Sequence, residues 1–266
     1  MEVPLNVQQQ ALHPFREVLL PVGWARVERE RIRVCLHPLP IAKIVEPVNL
    51  RPDEVETAVQ EARTILREHG GSLLASWIAP EHASIGEQLE QLGLVNEDTP
   101  GFEAVENAMA LVDAPTGDLA DSIVVTEVES LEDFGSSNQV TAAAFEMPQA
   151  MRDEMEAAMP KQYEEYTTPG NPARQFNASI DGLVVGTAAA VRGTAGVNLF
   201  GGSVISEARG KGVYRALTQA RWKFAVDHGT PALTIQAGRM SRPIAEQLGF
   251  TFLGPVRVYV DDLTRA

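Results

Sequence analysis

Residues 209–214 read Arg-Gly-Lys-Gly-Val-Tyr, so two cations alternate with two glycines in front of an apolar residue. Gly210 and Gly212 let the backbone turn tightly and keep Cβ atoms out of the way of an approaching ligand. A helix starting at Val213 would present first-turn N–H groups with no partner inside the helix, at the positive end of its dipole. Together with the N–H groups of the turn they form a nest for an anion, most naturally a phosphate. Arg209 and Lys211 add positive charge there, in a chain whose net charge is −14. The residue types therefore point to phosphate binding by main-chain donors.

Such a turn works only if it sits between a strand and a helix, and the flanking sequence supplies both. Residues 197–205 are rich in Val, Leu, Phe and Ile, as a buried strand requires. Val213, Leu217, Ala220 and Phe224 recur at helical spacing, which predicts a helix over residues 213–228. Upstream, residues 123–128 read as a strand, 131–145 and 149–159 as helices, and 174–180 and 183–191 as a hairpin turned by Asp181-Gly182. Downstream, residues 233–237 read as a strand. A short helix follows with Ser241 as its N-cap and Pro243 in its first turn, and then strands at 251–253 and 256–260.

The first half is built from similar parts. Residues 22–37 read as extended structure, interrupted by Pro38 and Pro40, and 41–50 as another short apolar run. Helix 51–68 stops at His69-Gly70-Gly71. Strand 72–79, helix 81–92 with Gly93 as its C-cap, and strand 102–112 follow. Residues 113–122 are polar, contain Pro and Gly, and mark the boundary between modules 1–115 and 116–266. A repeat links the two modules. His69-Gly70 with Gln91-Leu92-Gly93-Leu94 matches His228-Gly229 with Gln247-Leu248-Gly249-Phe250. Where the second module has its glycine turn, the first has Asn49-Leu50-Arg51-Pro52, which lacks glycines and carries a proline with no N–H. The first module therefore cannot build the same nest.

Composition narrows the function. The acidic balance argues against nucleic acid as a partner and fits a cationic acceptor such as an amine. Cys35 is the sole cysteine, so no intrachain disulfide and no cysteine-based zinc site can form. His13, His37, His69, His82 and His228 are not at metal-ligand spacing, and no metal is expected. The start Met1-Glu2-Val3-Pro4 has no basic region followed by an apolar core, and no run is long enough to cross a bilayer. A cytoplasmic protein with no membrane partner is the expectation.

The order of elements over residues 123–260, the turn at 209–214, and the Ser241–Phe250 segment with its Gly-Phe ending resemble the GNAT superfamily of acyl-coenzyme A-dependent N-acyltransferases. The whole chain resembles a tandem GNAT with a degenerate N-terminal module. The implied fold is α/β (α+β), with a mixed central sheet flanked by helices. The implied function is transfer of an acetyl group from acetyl-CoA, as co-substrate, to an amine, most simply a small molecule. By this resemblance the amides of Arg209, Gly210, Lys211, Gly212, Val213 and Tyr214 bind the coenzyme pyrophosphate. The backbone of Val204 and Ile205 pairs with the pantetheine arm. The thioester lies where strands 197–205 and 233–237 splay apart, and the amine enters from the side of residues 145–166.

Three positions depart from the family pattern. Tyr214 fills a small-residue position, Gly238 stands where many members have a pantetheine-contacting asparagine, and Ala245 where many have a thiolate-protonating tyrosine. Candidate bases are Glu146, Glu164, Glu165 and Glu207, and candidate acids Tyr163, Tyr166 and Tyr259; none has a motif that assigns it, and the catalytic residues stay unknown. Two alternatives to a small-molecule acetyltransferase remain: a non-catalytic acyl-CoA sensor or scaffold, and an enzyme acting on protein amino groups. Either a monomer or a homodimer is compatible with two modules that pack on each other.

Overall fold

A computed structural model describes residues 2–37, 42–69, 74–80, 83–98, 103–117 and 120–264. The expected features at Pro38, Pro40, Gly70, Gly71, His82 and Phe102 lie outside them. In chain order the elements are helices α1 (Leu5–Leu12) and α2 (Pro14–Glu17), strands β1 (Ala25–Glu28), β2 (Ile32–Leu36) and β3 (Lys43–Pro47), and helix α3 (Val55–His69). Then come β4 (Leu74–Pro80), α4 (Ala83–Gln91), β5 (Val105–Leu111) and β6 (Ile123–Glu127). Helices α5 (Leu131–Ala144) and α6 (Gln149–Tyr166) precede β7 (Ala173–Ile180), β8 (Leu183–Arg192) and β9 (Val197–Val204). The chain closes with α7 (Val213–Asp227), β10 (Leu233–Ala237), α8 (Arg242–Gln247) and β11 (Thr251–Asp262). Among the described residues no helix is long and apolar enough to cross a membrane.

All these strands join one mixed sheet in the order β1-β2-β3-β4-β11-β5-β10-β9-β8-β7-β6. The order is nearly a palindrome about the β11–β5 pair. Each module gives its last strand to the other: β11 lies against β4, and β5 against β10. The cores follow the exchange. Met109 and Leu111 of β5 pack in the core under α7, while Tyr259 of β11 and Leu263 just beyond it pack in the core under α3 and α4. A third cluster, on the opposite sheet face, lies beneath α1 and holds Val7, Ala11, Phe15, Ala108 and Ala110. The sequence division at 115/116 therefore does not divide the sheet.

The repeat seen in the sequence is a repeat of helix ends. His69 and His228 each pair Nδ1 with the carbonyl four residues back, at 2.9 and 2.8 Å. After α4 and α8 the N–H of Leu94 donates to the carbonyl of Leu89 (3.1 Å), and that of Phe250 to Ala245 (3.0 Å). Gly93 and Gly249 both have positive φ, as this cap demands. The two modules differ where α3 and α7 begin. Before α3, the carboxylate of Glu54 accepts the Arg51 N–H (3.1 Å) and pairs with Arg31 and Arg51 at 2.8 Å each. The first module thus places its own carboxylate at the helix start that the second leaves open.

Several sequence expectations change. Helix 149–159 does not stop at Pro160; α6 runs through it to Tyr166 with no residue buried, so few packing contacts oppose the proline there. The two final strands are one, because a register shift between Phe252 and Gly254 absorbs Gly254-Pro255. Ser241 does not cap α8; its hydroxyl donates to the carbonyl of Gly238 instead (3.3 Å). Helix α1 was not legible. It lies across β5, β10 and β11, and its buried Gln10 bonds Asn198, Thr234 and the N–H of Ala195.

Candidate active site

The site begins with a defect in β9. Between Ala189↔Phe200 and Thr187↔Ser203 the β8–β9 register slips, and Gly201 takes φ +55°. Such a bulge bends the strand. On its other edge β9 pairs with β10 only at Val197↔Leu233 and Asn198↔Thr234, and then the two strands part. A Gly-Gly pair inside an apolar strand is the sequence signal for this, and reading 197–205 as a plain strand misses it. The gap opens into a cleft of about 1010 Å³. Phe145, Met240 and Ile244, all exposed apolar side chains, stand around it.

Past the gap, β9 ends in a 3-10 turn (Ser206–Ala208) and then the glycine turn. Gly210 and Gly212 have φ of +77° and +91°, and Gly212 is the residue from which α7 starts. The main-chain N–H groups of Gly210, Gly212, Val213 and Tyr214 meet no acceptor among the described residues. Those of Arg209 and Lys211 are used within the turn, on Ser206 (3.3 Å) and Ala208 (3.4 Å). The Arg209 side chain braces the turn, with Nε donating to Val204 (3.2 Å) and Nη2 to Ala144 at the end of α5 (3.3 Å).

Val204, Arg209, Gly210, Gly212, Val213 and Tyr214 all line the cleft; Ile205 and Lys211 do not. Ile205 spends its N–H on Val185 of β8 (3.0 Å), so strand alternation leaves Val204 facing the gap. The Tyr214 ring lies against Gly202, where a Cβ would come within 3.0 Å of it. Behind it the guanidinium of Arg221, fully buried, sits 5.8 Å from the ring centroid. Burial lowers the pKa of Arg221, with the Tyr214 hydroxyl opposing.

The departures now have physical settings. A Cβ at Gly238 would run into the carboxylate of Glu103, which accepts the Arg239 N–H (2.7 Å). Ala245 is buried in the core under α7, while Ile244 and Gln247 of α8, and Ser241 just before it, line the cleft.

None of the acids and bases named from the sequence lines the cleft. Tyr163 and Tyr166 donate to the carbonyls of Glu129 (2.7 Å) and Val128 (3.0 Å), fastening α6 to the end of β6; burial pushes Tyr166 up to about 12. Tyr259 is buried beside Gly86 of α4. Glu165 abuts Gly23, and Glu207 is exposed. Hydrogen bonds from its own N–H and from Ser206 hold Glu207 below the usual carboxylate range. Among the described residues the carboxylates that do line the cleft are Asp98, Glu103 and Glu106, all from the first module. The available signal for Glu106 was a second Glu, after Glu103, deeper inside the apolar strand 102–112. Its importance follows only from the strand exchange. Among the described residues no group of His, Cys, Asp and Glu is placed to hold a metal ion.

No protein-family model matches the sequence, and no curated relative is found for it. Solved structures do match. A GCN5-related N-acetyltransferase from Kribbella flavida is 16% identical, with 96% of this chain and 93% of that one covered at a TM-score of 0.64. A functionally unknown conserved protein from Staphylococcus epidermidis is 12% identical, with 91% and 95% covered at 0.64. A tandem GNAT protein from the clavulanic acid biosynthesis pathway is 14% identical, with 98% and 88% covered at 0.58. The chain has the fold of the GCN5-related N-acetyltransferases, in a tandem arrangement.

Proposed function

We propose that this chain is an N-acetyltransferase that moves the acetyl group of acetyl-CoA to the amino group of a small molecule. The observation that carries the reading is the open helix start. Four unpartnered N–H groups at Gly210, Gly212, Val213 and Tyr214 head a 15-residue helix at the rim of a cleft that continues into the β9–β10 gap. Main-chain donors at a helix N-terminus suit a pyrophosphate, and Arg209 and Lys211 supply charge beside it. The Val204 N–H, on the edge facing the gap, suits an amide carbonyl of a pantetheine arm, with Ile205 holding that edge from the sheet side. Phe145, Met240 and Ile244 suit its apolar parts. When bound, acetyl-CoA supplies the activated acyl carbon. The chain's own contribution is to hold that carbon and the amine together, which is worth several kcal/mol of the barrier.

The test is calorimetry with acetyl-CoA on the native protein and on Gly212→Asp. The native protein is expected to bind and the variant to lose binding, since a carboxylate at the nest opposes a diphosphate and a side chain there strains φ +91°. Equal affinity for both would refute the assigned turn. Turnover is followed as free thiol. Cys35 is buried and its thiol is pushed up to about 12 by that burial, so the signal reports coenzyme A. Acetyl-CoA binding without thiol release, whatever amine is offered, would favour the sensor reading.

A further inference from the structure

A second cavity, of about 260 Å³, lies on the sheet face beneath α1 and α2, opposite α7. It shares Glu106, Phe200 and Gln236 with the cleft, so the two meet at the gap between β9 and β10. Its walls include Phe15 from α2 and Ser76 and Ile78 from β4, so the first module builds much of it. Three of its polar side-chain atoms have no partner among the described residues: Ser76 Oγ, Asn198 Nδ2 and Gln236 Nε2. Ser76 and Asn198 are each only 2% exposed. The Asn198 orientation is set by a chain of bonds. The Ala195 N–H donates to Gln10 Oε1 (2.9 Å), so Gln10 Nε2 must donate to Asn198 Oδ1 (3.3 Å), which leaves Asn198 Nδ2 over. Buried polar atoms are rarely left unbonded, and three such atoms line this one hollow, which can hold a ligand.

Glu106 stands at the junction. Along β5, alternation puts Met109 and Leu111 on the α7 face and Glu106 with Ala108 and Ala110 on the α1 face. The β5–β10 register ends at Asn107↔Ala237, one step short of Glu106. Its half-buried carboxyl makes no hydrogen bond or ion pair with the described residues.

We propose that this second cavity is the acceptor pocket, that it takes a compact primary amine carrying an oxygen acceptor a few bonds from the nitrogen, and that Glu106 takes the amine's proton. The proposal rests on the acetyl-transfer reading above. The donor left over on Asn198 calls for an oxygen on the ligand, and the Gln236 amide can meet it with either end. Burial, reinforced by the charge of Glu103, raises the Glu106 carboxyl to about 7, a suitable value for a base at neutral pH. The charged groups around it are Glu103 and Asp98, both bridged by Arg239, Arg257 on β11 opposite Val105, and, toward α8, Arg242, held by Asn107 and Glu246. In the step itself the ammonium gives one proton to the Glu106 carboxylate. The neutral nitrogen attacks the thioester carbon, the C–N bond forms, and the C–S bond breaks. The departing thiolate takes up the second nitrogen-bound proton through solvent. The products are the N-acetyl amide, the free coenzyme thiol and one proton passed from Glu106 to water.

The experiment measures acetyl-CoA binding by calorimetry, and thiol release from pH 5.5 to 9 with 2-aminoethanol, glycinamide and n-propylamine as probes. It uses the native protein, Glu106→Gln and Ser76→Leu. The expectation is faster release with the two oxygen-bearing amines than with n-propylamine. In Glu106→Gln the rate should fall about 100-fold and the limb rising through pH 7 should vanish. In Ser76→Leu the KM for the amine should rise at least about 10-fold. Both variants should bind acetyl-CoA as the native protein does. Release no faster with oxygen-bearing amines than with n-propylamine overturns the pocket, and a native pH profile in Glu106→Gln overturns the base. Failure of the native protein to bind acetyl-CoA overturns the underlying reading instead.

Discussion

Glu106 occupies an unfavourable place for a negative charge, and that has a cost that can be measured apart from activity. Its folded-state carboxyl titrates near 7, above the usual range, chiefly because it is buried. A carboxyl raised in this way favours the folded state while protonated. It withdraws that support as pH climbs from the unfolded value through the folded one. After allowance for solvent screening, the ionised form costs the fold on the order of 2 kcal/mol. Glu106→Gln is therefore expected to melt about 5 °C above the native protein at pH 8. At pH 4, where both side chains are neutral, the two should melt together. A variant no more stable than the native protein at pH 8 would mean the carboxylate is well solvated. Stability gained by removing a functional group is the usual trade at a catalytic position.

At the scale of elements, the turn at 209–214 is held by what it connects. Arg209 reaches back to the carbonyl of Val204 on β9 and across to Ala144 at the end of α5, 65 residues away in sequence. Its planar fork joins both carbonyls with separate N–H groups, whereas a lysine at this point keeps the charge without the fork. Arg209→Lys is expected to weaken acetyl-CoA binding about 5-fold, and Arg209→Met further, since that change also removes the cation. Calorimetry decides between bracing and charge alone. If the lysine variant binds like the native protein, the brace does not matter. The β9 bulge works with this turn. Without the break at Gly201, β9 would pair on with β10, and the cleft would close.

At the scale of the whole molecule, the exchanged strands make two modules one folding unit. Arg63 of α3 forms a bidentate ion pair with Asp261 of β11, at 3.0 and 2.9 Å, with both side chains almost fully buried. It ties the first module's helix to the second module's last strand. Removing one partner of a buried pair strands the other charge, so Asp261→Ala should cost about 3–5 kcal/mol. Urea unfolding is the measurement. One cooperative transition, shifted as a whole, is expected for both proteins, and two resolved transitions would contradict the interlocked sheet. The exchange also explains why a module without a nest is retained in the architecture. It delivers β5, and with it the carboxylates at the back of the cleft.

The sequence by itself determined the features that depend on near neighbours along the chain. Positive-φ glycines, the glycine-ended helices, the Asp181-Gly182 hairpin and the glycine turn at 210–214 are local, because each rests on a few consecutive residues and their backbone angles. The same locality made the repeat visible, since His-Gly and Leu-Gly are helix-end devices. What only the tertiary structure decided is which parts of the two halves touch. Whether Tyr163 is an acid or a fastener, whether Ala245 faces the cleft, and which module's strand follows β10 depend on contacts between residues far apart in the chain, from 34 positions for Tyr163 and Glu129 to 130 for Asn107 and Ala237. No periodicity encodes that pairing. Glu106 is the clearest case: a single charged residue in an apolar strand, whose meaning came from a neighbour strand 130 residues further along the chain.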